Sequence, residues 1–206
     1  ALIVPGILSK TECASLSSKI SNIQTINKNP KKFGTSLSSY IYEKSQYFSN
    51  AKTSNDFLKK LFAENISPII SMRETISKVF QKRLTTATEN GMSYSDAVIR
   101  IHGNNDSVHL HRDNSHFEMS HYNVSCLKNQ LSAILYLQSP EEGGELTIFH
   151  KMWNRNDECM REPDFGYSSE LIKDVKQTQI SPVEGNMVIL NPKFYHQIEH
   201  VTGLRN

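Results

Sequence analysis

The sequence predicts an α+β fold whose second half is a β-sandwich or barrel of the jelly-roll kind, and three observations predict it. Apolar residues recur at helical spacing as far as residue 80, strand-like runs separated by turn signals follow from residue 94, and no internal repeat or low-complexity segment interrupts either half. A chain of 206 residues is long enough to bury one full core. We therefore expect residues 1–206 to be a single domain, with 1–93 mainly helical support and 94–206 the jelly-roll core, interrupted by an insertion at 151–174.

Each element has a local reason. Leu2-Ile3-Val4 is a short apolar run ended by Pro5-Gly6, which reads as a strand and a turn. Ser9-Lys10-Thr11-Glu12 has the Ser-x-x-Glu form of a capping box, so a helix of about ten residues is expected, with Cys13, Leu16 and Ile20 facing the core. Residues 21–51 have no sustained period and read as loop, with one strand near Thr25-Ile26. Phe57, Leu58, Leu61 and Phe62 share a helical face. Ser67-Pro68 then supplies a cap and an N1 proline for a second packing helix through Ile69, Ile70, Met72, Ile76, Val79 and Phe80.

The later grammar is that of strands. Val98–His102, Leu131–Leu137, Glu145–Phe149, Val175–Val183 and Asn186–Leu190 are rich in β-branched and aliphatic residues, with Gly143-Gly144 and Glu184-Gly185 as turns. Lys151 to Asp174 is too long for a hairpin turn and holds Trp153, Phe165 and Tyr167, so it is expected to form a lid.

Composition excludes several classes. The formal net charge is +2, with Lys and Arg scattered among acids, so nucleic acid is not an expected partner. No apolar run approaches the roughly 20 residues of a membrane span, and no signal-peptide layout opens the chain, so no membrane association and a cytoplasmic location are expected. Cys13, Cys126 and Cys159 are odd in number and lie at wide spacings, which argues against a disulfide framework and a Cys-based zinc site. Because the chain has no initiator Met and stops soon after a run that matters below, we expect it to be a fragment of a longer protein.

Five of the eight histidines, His102, His109, His111, His116 and His121, fall within twenty residues. His109-x-His111 could be a zinc pair, and His111-x-Asp113 could begin a 2-His-1-carboxylate facial triad for non-haem Fe(II), since imidazole and carboxylate two residues apart can turn toward one ion. Spacing leaves both open.

The wider order of motifs carries a resemblance. His111-x-Asp113, the core strand ending Leu135-Tyr136-Leu137, Glu142-Gly143-Gly144-Glu145-Leu146, Gly185–Leu190 before Tyr195-His196, and Val201-Thr202-Gly203-Leu204-Arg205 together resemble the Fe(II)/2-oxoglutarate-dependent oxygenase superfamily, in its standalone small-molecule hydroxylase and halogenase branch or its prolyl-hydroxylase branch. The resemblance covers about residues 98–206 and implies a double-stranded β-helix, cupin-like core. It implies Fe(II), 2-oxoglutarate and O2 as cofactors and co-substrate, with His111, Asp113 and His196 as iron ligands. Arg205 matches the basic residue that binds the distal carboxylate of 2-oxoglutarate, a role for which a planar, permanently charged fork is suited. Tyr136, Thr147 and Thr202 are further candidates for the oxo acid. His109, Arg100, Trp153 and Phe165 are candidates for the substrate.

In the related halogenases a small residue replaces the carboxylate of the triad and leaves a position for chloride. Because Asp113 is present, the expected reaction is hydroxylation of an unactivated C–H bond in a small natural-product or amino-acid-like molecule. Hydroxylation of a protein side chain and a non-catalytic cupin-like metal module are the alternatives.

Overall fold

The computed structural model describes residues 1–26, 31–63 and 67–203. Strand β1 (Leu2–Val4) leads into helix α1 (Lys10–Ile26), followed by β2 (Lys32–Phe33), α2 (Lys44–Leu61) and α3 (Pro68–Phe80). The hairpin β3 (Thr88–Glu89) and β4 (Met92–Ser93) precedes β5 (Ile99–Arg100), β6 (Val108–His111) and the one-turn α4 (Ser115–Glu118). The chain closes with β7 (Ser132–Leu135), β8 (Leu146–Met152), β9 (Gln177–Ile180), β10 (Met187–Leu190) and β11 (Phe194–Ile198).

Two antiparallel sheets organise the second half. One has the order β1-β10-β7 and the other β6-β11-β8-β9. Every residue of β10 is buried, as expected of a central strand covered on both faces, whose sequence is an unbroken apolar run. Leu146 and Ile148 of β8, Ile180 of β9 and Val188 and Leu190 of β10 form one apolar cluster, joined by Ile134, Tyr136, Phe194 and Ile198. Because those side chains come from both sheets, the cluster is the layer between them.

The helices back this arrangement. Ser9 and Glu12 do form a reciprocal capping box, with Ser9 N donating to Glu12 Oε2 at 2.6 Å and Glu12 N to Ser9 Oγ at 3.3 Å. Cys13, Leu16 and Ile20 are buried against Leu58, Leu61 and Phe62 of the α2 end. Ile99, Ile101, Leu135 and Leu137 pack on the same cluster, which sets the outer face of the β-half against the helices.

Five expectations are corrected. Helix α1 spans 17 residues, well beyond the ten expected, and the strand placed near Thr25-Ile26 is helical backbone. The supposed loop at 21–51 holds the end of α1, strand β2, a 3-10 turn at Leu37–Tyr40 and the first turns of α2. Its structure was hidden because α2 carries its core face on Tyr47, Phe48 and Ala51, two of which are aromatics embedded among Lys, Ser and Asn. The apolar residues of α3 are not a buried stripe either, since Ile70, Val79 and Phe80 are exposed and Pro68 is the buried residue of that helix. Ser67 stands at the α3 N-cap without a capping side-chain bond, leaving the N1 proline as the start signal that operates.

One further contact reaches toward the site. Tyr47 and Phe48 of α2 pack with Tyr94, Met119 and Tyr122, so the chain following β6 is seated on α2. The buried Glu89 carboxylate joins these pieces, pairing with Lys44 while accepting from Tyr94 Oη at 2.5 Å and Asn123 N at 2.9 Å.

Candidate metal centre

Strand β11 is the middle partner of β6 and β8, and its register places His196 opposite His111 on one side and Ile148 on the other. Residues opposite each other on neighbouring strands point to the same face, so both imidazoles are delivered to the inter-sheet side. Their ring centroids are 4.2 Å apart. The ladder shifts register on either side of His196, a bulge-like irregularity of the kind that re-aims a side chain.

Asp113 arrives by a different device. Its backbone N–H donates to the Pro192 carbonyl at 2.8 Å, tying the residue just past β6 to the turn before β11. The next residue, Asn114, caps α4 by accepting from Phe117 N at 3.3 Å and so ends the extended segment. His196 Nε2 and Asp113 Oδ2 are 4.0 Å apart. One ligand atom from each of His111, Asp113 and His196 lies within 4.8 Å of the others.

The histidines are held in matching tautomers. His111 Nδ1 contacts the His109 carbonyl at 2.8 Å and His196 Nδ1 the Phe194 carbonyl at 2.9 Å, each its own strand two residues back. A carbonyl can only accept, so Nδ1 carries the proton in both rings and Nε2 keeps its lone pair for a metal. Burial and the nearby His196 push the His111 pKa down to about 4, against the opposing pull of Asp113. A neutral imidazole is the form that binds a metal. The donor set of two imidazole nitrogens and one carboxylate on one face therefore fits Fe(II).

The other expected residues are distributed unequally. Tyr136 shares the inter-sheet cluster with Ile148 and Ile198, and its buried hydroxyl has no hydrogen-bond partner among the described residues. Burial pushes that phenol up to about 12. An orphaned donor in this layer is a ready contact for an oxo-acid oxygen. Thr147 is turned the other way, a correction to its expected role. It lies opposite Gln197 and not His196, and its hydroxyl donates to Glu199 Oε1 at 2.5 Å on the outer face. Strand alternation alone accounts for this. Thr202 is exposed, with its backbone N–H bonded to the Glu142 carbonyl at 3.0 Å. Arg205 lies outside the described residues.

Among the substrate candidates, Phe165 is exposed and its ring lies 5.3 Å from that of His111. The following residue explains its place. Gly166 has φ +92°, and a Cβ there would meet the Leu110 carbonyl at 2.5 Å, while Tyr167 N donates to the same carbonyl at 2.9 Å. The insertion is thus pressed onto the free edge of β6. Arg100 lies by alternation on the opposite face from Ile99 and Ile101, which pack on the helices, and its charge is felt at His111. His109 is exposed and is not one of the three residues whose ligand atoms converge. Trp153 is stacked on Arg112, centroid to guanidinium carbon 4.6 Å, and has Phe117 at 4.6 Å.

Arg112 is the residue that sequence reasoning passed over. Its side chain is wholly buried, with Nη1 2.9 Å from Glu118 Oε1 and Nη2 2.9 Å from Glu158 Oε1. A buried charge of this kind is invisible to periodicity; the signal available was a lone Arg between two candidate ligands.

Fold and site together define a class, the Fe(II)/2-oxoglutarate-dependent oxygenases, and comparison with known proteins agrees. An N-substituted L-amino acid dioxygenase from Burkholderia ambifaria AMMD, solved in complex with alpha-KG, superposes with a TM-score of 0.58 at 13% identity, covering 96% of this chain and 76% of that one. A second structure of an N-substituted L-amino acid dioxygenase from the same source gives 0.53 at 11% identity, over 93% of this chain and 83% of that one. The family model of the carrier-protein-independent halogenase WelO5 matches residues 1–206, and the chain belongs to that family. Fe(II), 2-oxoglutarate and O2 are accordingly its cofactors and co-substrate. A leucinostatins biosynthesis cluster protein S from Purpureocillium lilacinum is 24% identical over 162 residues. That match takes in 75% of this chain and 65% of the relative, so the chain spans less than two thirds of that relative's length. Among the described residues no helix is long and apolar enough to cross a membrane.

Proposed function

We propose that this protein hydroxylates an unactivated C–H bond of a small, carboxylate-bearing organic molecule, using His111, Asp113 and His196 to hold Fe(II). The single observation that carries the choice of reaction is the Asp113 carboxylate, which has an oxygen 4.0 Å from His196 Nε2 and groups with both imidazoles, their ligand atoms within 4.8 Å of one another. Halogenation, the reaction in the family's name, needs a coordination position for halide, and a carboxylate ligand fills that position. The two facing sheets are read here as the halves of a double-stranded β-helix, with the triad at its open end.

Bound at this site, Fe(II) with 2-oxoglutarate and O2 supplies the oxidising power: one oxygen atom enters the C–H bond, and 2-oxoglutarate leaves as succinate and CO2. The remaining work belongs to the chain. The Nδ1 contacts of both histidines fix ring orientation before any ligand arrives. Tyr136 offers its hydroxyl to 2-oxoglutarate in the apolar layer, where a hydrogen bond replaces the cost of leaving the phenol unpaired. Phe165 forms an apolar wall next to His111, and Arg100 offers a positive charge to an anionic substrate group. The substrate class draws support from the N-substituted L-amino acid dioxygenase and the biosynthesis-cluster relative.

Two experiments test this in sequence. Anaerobic Fe(II) and 2-oxoglutarate should give the weak visible charge-transfer band of such a chelate, and its absence overturns the metal assignment. N-substituted L-amino acids are then screened for succinate release under ¹⁸O2 with excess chloride. Incorporation of a labelled oxygen atom into the product is expected, and a chlorinated product overturns hydroxylation.

A further inference from the structure

The residue between the two neighbouring ligands has a role of its own. Arg112 projects to the side of β6 opposite His111 and Asp113, where Glu118 of α4 and Glu158 of the insertion flank its guanidinium. Glu158 Oε1 also accepts from Trp153 Nε1 at 2.6 Å and Tyr167 Oη at 2.6 Å, so one carboxylate oxygen gathers three donors. Arg161 closes the group, 3.3 Å from Glu158 Oε2 and 3.5 Å from Glu118 Oε1. The rings of Trp153, Phe117 and Tyr167 lie at 4.6, 5.5 and 5.7 Å from the guanidinium carbon. Two groups that supply donors to Glu158, Trp153 and Tyr167, lie at either side of the 151–174 insertion, and Tyr167 is the residue that docks on β6 beside Phe165.

We infer that Arg112 is a positioning residue that couples the metal ligands to the insertion: its fork fixes the His111–Asp113 backbone and holds the insertion, with Phe165, against the site. The inference rests on the proposed metal site. Two arrangements are linked by one buried guanidinium with short connections on both sides, so ordering either one orders the other. Linkage makes the effect reciprocal, since metal that favours the docked insertion must bind more tightly when the insertion is docked. Lysine cannot replace arginine here, because a single ammonium lacks the planar fork that spans two carboxylates and stacks on an indole.

The chain's single tryptophan, Trp153, sits inside this network and serves as the reporter. Mn(II), which occupies oxygen and nitrogen sites without reacting with O2, is titrated while Trp153 fluorescence is followed, and free Mn(II) is counted independently by its magnetic resonance signal. In the wild-type protein Mn(II) is expected to change the Trp153 emission and to slow tryptic cleavage at Arg155, Arg161 and Lys173. In Glu158→Gln, which keeps an acceptor for Trp153 and Tyr167, and in Arg112→Lys, Mn(II) affinity is expected to fall by about tenfold or more, the scale found for residues that orient metal ligands. Protection of the insertion by Mn(II) should be lost with it.

A merely structural network lowers thermal stability and leaves Mn(II) affinity unchanged in the folded variants, and that result overturns the inference. If Arg112→Lys does not fold, Glu158→Gln decides alone. Wild-type protein that fails to bind Mn(II), or a His196→Ala variant that binds it undiminished, overturns the metal-site reading instead.

Discussion

Two polar clusters grow from the same four residues, His111 to Asn114, and they obey opposite rules. On one side, His111, Asp113 and His196 turn ligand atoms that lie within 4.8 Å of one another toward a common point. On the other, Arg112 is enclosed by two carboxylates and three aromatic rings, with Nη1 and Nη2 each 2.9 Å from a carboxylate oxygen, although neither Nε nor Nη1 has a partner with hydrogen-bond geometry among the described residues. The exposure follows the same division, with the Asp113 side chain 44% exposed and that of Arg112 0%. The difference teaches how to read buried charge. An ion-paired cluster enclosed by the fold holds its neighbours in place, while lone pairs that converge on one point are arranged for a ligand.

The largest way to break this contrast is to remove a ligand. Asp113→Ala is expected to reduce product formation more than the 10–100-fold typical of residues that only support ligands, with little change in Tm. Retained turnover would remove Asp113 from the ligand set. Arg112→Met should do the reverse in kind, costing up to about 3–5 kcal/mol of stability by leaving Glu118 and Glu158 with only the more exposed Arg161 as cationic partner. A urea titration checks it, and a loss below about 1 kcal/mol would show that the network is loosely held.

Acid provides a gentler probe of the same cluster. Burial pushes the Glu158 carboxyl up, but hydrogen bonds from Tyr167, Arg112 and Trp153 outweigh it and hold the pKa at about 2, below the ordinary glutamate value of 4.5. A carboxyl depressed in the folded state stabilises it above the unfolded pKa, and that stabilisation fades as pH falls through the folded one. Wild-type stability should therefore drop between pH 4.5 and about 2, and Glu158→Gln should flatten that part of the curve. An equal slope in the variant would assign the acid sensitivity elsewhere.

The smallest effects sharpen which face belongs to the site. Thr147→Val should lose about 1 kcal/mol from the bond to Glu199 while leaving 2-oxoglutarate affinity unaltered. Tyr136→Phe should do the opposite, weakening 2-oxoglutarate while stability stays within about 1 kcal/mol or rises, because among the described residues its hydroxyl has no partner to lose. Isothermal titration separates the two, and a Tyr136→Phe protein that binds 2-oxoglutarate normally would return Tyr136 to packing.

Legibility differed by range of interaction. The capping box at Ser9, the N1 proline at Pro68 and the turn glycines at 143, 144 and 185 were readable, since each depends on residues within a few positions. The start of α2 was not, because Tyr47, Phe48 and Ala51 sit among polar residues and the buried face then passes through Asn55, which donates to the Tyr94 carbonyl at 2.9 Å and accepts from Asp96 N at 2.8 Å. A polar residue on a core face reads as surface until its partners are known. The exposed apolar residues of α3 misled for the complementary reason, as periodicity gives a stripe and says nothing of what lies against it.

At the site, the sequence by itself determined the kinds of donor group and their local spacing. His111-x-Asp113 places imidazole and carboxylate near each other in any extended chain, and the proposed choice of reaction rests on Asp113. Only the tertiary structure decided the partners: that His196 faces His111 across β6 and β11, that Thr147 turns to Glu199, and that Arg112 binds Glu158 from an insertion 46 residues away. The reason is register. A one-residue shift in strand pairing sends every side chain to the other face, and register is set by the whole sheet and not by the strand that carries the motif.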